Sequence, residues 1–82
     1  KSEMTVARVN MIKYDTIHNG QQSSTKIRYK TKGTQSTLWN ENGKVNVLFD
    51  EPVKGIAPGQ SAVFYEGDDV IGGGIIQSYP ML

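Results

Sequence analysis

The sequence has no cysteine among its 82 residues. That excludes a disulfide framework, thiolate catalysis and thiolate zinc sites. A small domain without disulfides fits a reducing compartment, so a cytoplasmic location is expected. Histidine is nearly absent as well, with His18 alone. A zinc site needs three or four ligands, so a single histidine in a polar loop reads as solvated, and no metal is expected. Long hydrophobic runs are missing: no stretch approaches the ~20 apolar residues of a membrane helix. No charged segment followed by an apolar one marks a signal peptide, and no membrane association is expected. Charge of one sign is also scarce. Nine Lys and Arg stand against eight Asp and Glu, and a net charge of +1 selects no partner by itself.

Helical signal is lacking too. Windows with apolar residues at helical spacing are few, and they are rich in Val, Ile, Thr and Gly, which disfavour helix. Six strand-like runs stand in their place: Met4–Lys13, Thr25–Lys30, Thr34–Trp39, Lys44–Asp50, Ser61–Gly67 and Asp69–Ser78. Turn signals fall at Asn19-Gly20, Gly33, Asn42-Gly43 and Gly67-Asp68. The fourth run places Val45, Val47 and Phe49 on one face. Short strands at this spacing predict an all-β fold, a small barrel or a sandwich. A closed antiparallel barrel leaves no free edges, which suits so thin a core. The glycines at 72, 73 and 74 then mark a bend or a close approach of strands. A phosphate cradle would need a helix to follow them, and none is predicted.

What charge there is falls unevenly. In "KIRYKTK" Lys26, Arg28, Lys30 and Lys32 recur at spacing two. On a regular strand they share one face at about 6.6–7 Å intervals. Such a row can track a nucleic-acid backbone, or it can be an ordinary solvated face that protects an edge. Of the aromatic residues, Tyr29 stands out because it lies among these cations, and the others read as packing residues. Glu66, Asp68 and Asp69 read as a solvated turn, since they lack the calcium-loop pattern. No nucleophile–base pair can be assembled around His18, so no catalytic residue is assigned.

The second half, "VLFDEPVKGIAPGQSAVFYEGDDVIGGGII", resembles the C-terminal segment of bacterial tRNA-specific 2-thiouridylases, the MnmA/TrmU family. The shared pieces are "FDEP" (49–52), "PGQSAVFY" (58–65) and "GGGII" (72–76), with "KIRY" (26–29) and "VNMI" (9–12) upstream. Met11 stands where a tryptophan is expected. The resemblance implies a six-stranded antiparallel β-barrel similar to the second domain of elongation factor Tu. It implies that residues 1–82 are the C-terminal domain of a longer three-domain enzyme. A start at Lys1 and the immediate strand-like pattern suggest such a piece. The implied parent carries out ATP-dependent 2-thiolation of the wobble uridine of tRNA. Its N-terminal domain would use ATP with magnesium and host catalytic cysteines, a central domain would follow, and a protein would donate the sulfur.

No "SGGVDS"-like loop is present here, so the chain resembles the tRNA-gripping part without the chemistry and should be inactive alone. The family's tRNA contacts fall on Arg28, Tyr29 and Gln60, with Lys26, Lys30 and Lys32 as weaker candidates. Gln60 would donate and accept hydrogen bonds toward a ribose or phosphate. Arg28 and Tyr29 point to opposite faces of a regular strand, so joint contact requires a bulge, a strand end or a groove around the edge. The second reading is a barrel that mainly packs on its parent domains or on a protein partner.

Overall fold

The computed structural model describes residues 2–28 and 32–78. Six strands follow in chain order: β1 (Glu3–Met11), β2 (Gln21–Lys26), β3 (Thr34–Glu41), β4 (Lys44–Phe49), β5 (Ser61–Glu66) and β6 (Asp69–Ser78). They close in the order β1-β4-β3-β2-β5-β6, every pair antiparallel. The expected all-β barrel is therefore present, and no helix occurs among the described residues.

Alternation builds the interior. Val45, Val47 and Phe49 of β4 point inward, as do Leu38 of β3, Ala62 and Phe64 of β5, and Ile71 and Ile76 of β6. In β1 the inward series is Met4 and Val6, then Val9 and Met11, so the parity changes once. The extra residue is Arg8, at φ 53, where the β1–β6 register shifts between Ala7 and Asn10. A bulge of this kind keeps both apolar pairs inside and leaves Arg8 exposed. Asn42 and Gly43, at φ 50 and 80, form the expected hairpin turn between β3 and β4.

The three consecutive glycines permit close approach on both sides of β6. A Cβ at Gly72 would lie 2.6 Å from the Asn10 carbonyl oxygen, and one at Gly74 would lie 2.5 Å from that of Ala7. At Gly73 it would lie 2.5 Å from the Ala62 carbonyl oxygen. The obstacles are backbone atoms of β1 and β5, which cannot swing away as a side chain can.

The second strand requires a correction. β2 runs over Gln21–Lys26, four residues earlier than the expected Thr25–Lys30. Its inward residues are Gln21, Ser23 and Thr25, so it carries no apolar alternation to detect. Their polar atoms are paired. Ser36 Oγ donates to the Ser23 carbonyl at 3.0 Å, which leaves Thr25 Oγ1 as its donor at 2.7 Å. Ser23 Oγ then donates to Thr25 Oγ1 at 3.3 Å, and Gln21 Oε1 accepts from the His18 backbone N–H at 3.2 Å. Among the described residues no buried side-chain polar atom lacks a partner. Ile17 and Ile27, just outside the two ends of β2, are buried and add apolar volume to this side.

The loop after β1 is tied to the β5–β6 hairpin. Lys13 Nζ lies 2.7 Å from Glu66 and 2.8 Å from Asp69, and the Tyr14 hydroxyl donates to Glu66 at 2.7 Å. Glu66 and Asp69, expected as a merely solvated turn, thus clasp Lys13. The Lys13 ammonium, then the Tyr14 hydroxyl, hold the Glu66 carboxyl below its ordinary value. The same bond to Glu66 raises the Tyr14 phenol, and bonds to Asp69 and then Glu66 raise Lys13.

Candidate nucleic-acid interface

β2 ends at Lys26, and the chain bends through Ile27 and Arg28. The cation row on one strand face is therefore not formed as expected: of its described members, Lys26, Arg28 and Lys32, Lys26 alone belongs to the strand. Tyr29 and Lys30 lie outside the described residues. Arg28 lies two residues past the end of the strand, outside the ladder.

The bend carries Arg28 against the long β4–β5 connection. Its guanidinium donates to the carbonyls of Lys54 at 3.3 Å and Gly55 at 3.2 Å. Gly55 has φ 76, and a Cβ there would run into the Arg28 Nη2 atom. Arg28 is thus a strap across the connection and an element of the surface at once.

Gln60 closes the same connection from the other end. Ala57-Pro58-Gly59-Gln60 forms a turn in which the Gln60 N–H donates to the Ala57 carbonyl at 3.3 Å, and Gly59 has φ 93. Proline followed by a glycine of positive φ is the type II pattern. The side chain reinforces the turn, since Gln60 Oε1 accepts from the Ala57 N–H at 3.1 Å. That bond fixes the amide orientation. The side-chain NH₂, with two donor hydrogens, is left as the part suited to a ligand acceptor. The expected acceptor role is taken by the turn.

These pieces meet in one open cleft of about 520 Å³, lined by Lys26, Ile27, Arg28, Gln60, Ser61, Val63 and Tyr65. Three residues singled out from the sequence, Lys26, Arg28 and Gln60, share it. Lys32 does not. It lines a smaller recess of about 230 Å³ with Thr34, Pro52 and Lys54, and Arg28 forms a wall of both. No acidic residue lines either space among the described residues. Two contributors were not singled out from the sequence. Lys54 sits in a stretch that reads only as a connection. Tyr65 reads as packing until its strand parity is known: Ala62 and Phe64 point in, so Tyr65 points out. Its inward neighbours could have signalled this.

The described residues contain no group of three or more His, Cys, Asp or Glu able to hold a metal. The glycines 72–74 do not fit a phosphate cradle, because they lie in a strand paired on both sides.

Fold and cleft together define a class: a closed six-stranded antiparallel barrel with a basic cleft on one wall. Comparison with known proteins makes this specific. The aminomethyltransferase β-barrel domain matches residues 1–76, and the chain belongs to that family. It is 52% identical over 79 residues to the tRNA-specific 2-thiouridylase MnmA of Cytophaga hutchinsonii, covering 95% of this chain and 22% of that protein. It is 45% identical over 76 residues to the enzyme of the same name from Acetivibrio thermocellus, covering 92% and 21%. The one from Trichormus variabilis is 40% identical over 80 residues, covering 96% and 23%. The chain thus spans about a fifth of the length of these relatives. The resemblance drawn from the quoted motifs holds along nearly the whole chain.

Proposed function

We propose that the chain is the tRNA-gripping C-terminal barrel of a tRNA-uridine 2-sulfurtransferase. The relatives are named as tRNA-specific 2-thiouridylases, and this chain would supply binding while the thiolation chemistry lies in the parent's other domains. ATP with magnesium and a sulfur-donor protein would be used there, in the cytoplasm. The observation that carries the reading is the convergence of Lys26, Arg28 and Gln60 on one cleft with no acidic lining residue among the described residues. Cations there meet phosphate oxygens, and the Gln60 NH₂ donates to a phosphate or ribose oxygen. Phosphate contacts position an RNA without reading its sequence. Tyr29 is assigned to the same interface through the family resemblance, and Lys30 as a weaker candidate from the run of cations.

The test is tRNA affinity of Arg28→Ala and Gln60→Ala at two salt concentrations, beside a melting curve for each. Loss of the charged contact should weaken binding by about 1.5–3 kcal/mol and loss of the neutral one by about 0.5–1.5 kcal/mol. Arg28→Ala should also flatten the log–log salt dependence by somewhat under one unit, and Gln60→Ala should leave it alone. The second reading, a face that packs on neighbouring domains, draws on the Arg28 strap across Lys54 and Gly55. It predicts a lowered melting temperature with unchanged tRNA affinity of the folded fraction, and that outcome would replace the first reading.

A further inference from the structure

We infer that the cleft takes an unpaired nucleotide, with its base stacked on Tyr65, and not only the backbone of a duplex. This rests on the RNA-gripping reading and adds to it which form of RNA is held. Tyr65 is half-buried on the outer side of β5, with Arg28 and Gln60 lining the same space. Register places Tyr65 opposite Ser24 and Val63 opposite Lys26, so Lys26 and Tyr65 are diagonal neighbours across the seam. Lys26 Nζ stands 5.1 Å from the Tyr65 ring centroid, a cation–π distance. One ring, two cations and an amide donor thus line one cleft. This is what a single nucleotide asks for: a π-face for the base, cations for the phosphate, and a donor for the ribose or a base carbonyl. At about 520 Å³ the space falls within the roughly 300–1,000 Å³ of sites that hold small ligands. A base locked in a duplex cannot offer its face to such a ring, so stacking selects loops, bulges or ends.

A plain structural role for the ring, as a cross-strand partner of Lys26, would use the same contact. Three variants separate the two: Tyr65→Leu keeps apolar bulk without the ring, Tyr65→Phe keeps the ring without the hydroxyl, and Arg28→Ala tests the underlying reading. The probes are a short single-stranded RNA and a blunt RNA duplex of equal length. Stacking predicts that Tyr65→Leu weakens single-strand binding by roughly 5- to 100-fold, while duplex binding and the salt slope stay unchanged. Tyr65→Phe should bind the single strand as the wild type does. Single-strand affinity unchanged in Tyr65→Leu, with Arg28→Ala weakened, overturns the stacking and leaves the RNA reading standing. Equal loss on both probes with a lowered melting temperature also overturns it, and makes the ring structural. If the wild-type chain binds neither probe, the stacking and the RNA-gripping reading fall together.

Discussion

Two walls of the barrel are built on different chemistry. The wall of β4, β1 and β6 is filled with hydrocarbon: Val45, Val47, Phe49, Met4, Val6, Ile71 and Ile76 point inward. The wall made by β2 turns Gln21, Ser23 and Thr25 inward and is held by a circuit of hydroxyls that includes Ser36 of β3. Pairing differs as well. β5 and β6 share six paired positions, whereas β2 and β5 share three, Ser24–Tyr65, Thr25–Phe64 and Lys26–Val63. The cleft sits at this short seam, where β2 stops and the chain turns away. Burial of apolar surface stabilises the first wall strongly and without direction. Buried hydroxyls add little net stability but fix geometry, since each must find its partner. The wall that positions the cleft is thus the one whose placement depends most on hydrogen bonds.

Breaking each wall should therefore cost differently. The largest effect is expected on the tightly packed side. Gly73→Val pushes a side chain against the Ala62 carbonyl oxygen and should destabilise the fold by on the order of 1–3 kcal/mol. Urea unfolding measures this, and an unchanged midpoint would contradict the close approach of β5 and β6. On the polar wall, Thr25→Val leaves the hydroxyls of Ser23 and Ser36 each short of a partner. A loss of about 1–2 kcal/mol is expected. Adding Ser23→Ala removes the hydroxyl left without a partner and should recover part of that loss. A double variant that is less stable by the sum of the two single losses would show that the circuit acts as independent bonds.

The smallest effect concerns the clasp at Lys13. Glu66 is held below its ordinary value of 4.5 by Lys13 and then Tyr14, so the folded state favours the ionised carboxylate. Its contribution to stability is present above that ordinary value and is lost as pH falls through the lowered folded value. Glu66→Gln should therefore lower the melting temperature by a near-constant amount from neutral pH down to about pH 5 and flatten the acid side of the profile. A variant that melts with the same acid dependence as the wild type would remove the clasp from the account.

The same contrast governs how much could be read in advance. The apolar wall was legible because alternation writes itself into the sequence, as in Val45, Val47 and Phe49, and β6 falls within its expected bounds. β2 was displaced because "QQSSTK" has no apolar side, and the cations that followed drew the strand toward them. Ile17 was hidden in a polar loop although it is buried. The bulge at Arg8 could be seen only once Val9 and Met11 were known to face inward. At the site, the cation row and the family resemblance pointed to Arg28 and the resemblance alone to Gln60, but neither could show that both brace the 50–60 connection. Tyr65 and Lys54 enter the cleft and its neighbouring recess through strand parity and loop path, and neither quantity is local in sequence.

The central claim is that RNA is held at the β2–β5 seam. Backbone amide chemical shifts of the chain, followed while tRNA is added, test it most directly. Shifts should concentrate at Lys26–Arg28, Lys32, Lys54–Gly55 and Gln60–Tyr65, and shrink as salt is raised. Shifts centred on the β3–β4 hairpin at Asn42 and Gly43, or no shifts in excess tRNA at low salt, would contradict it.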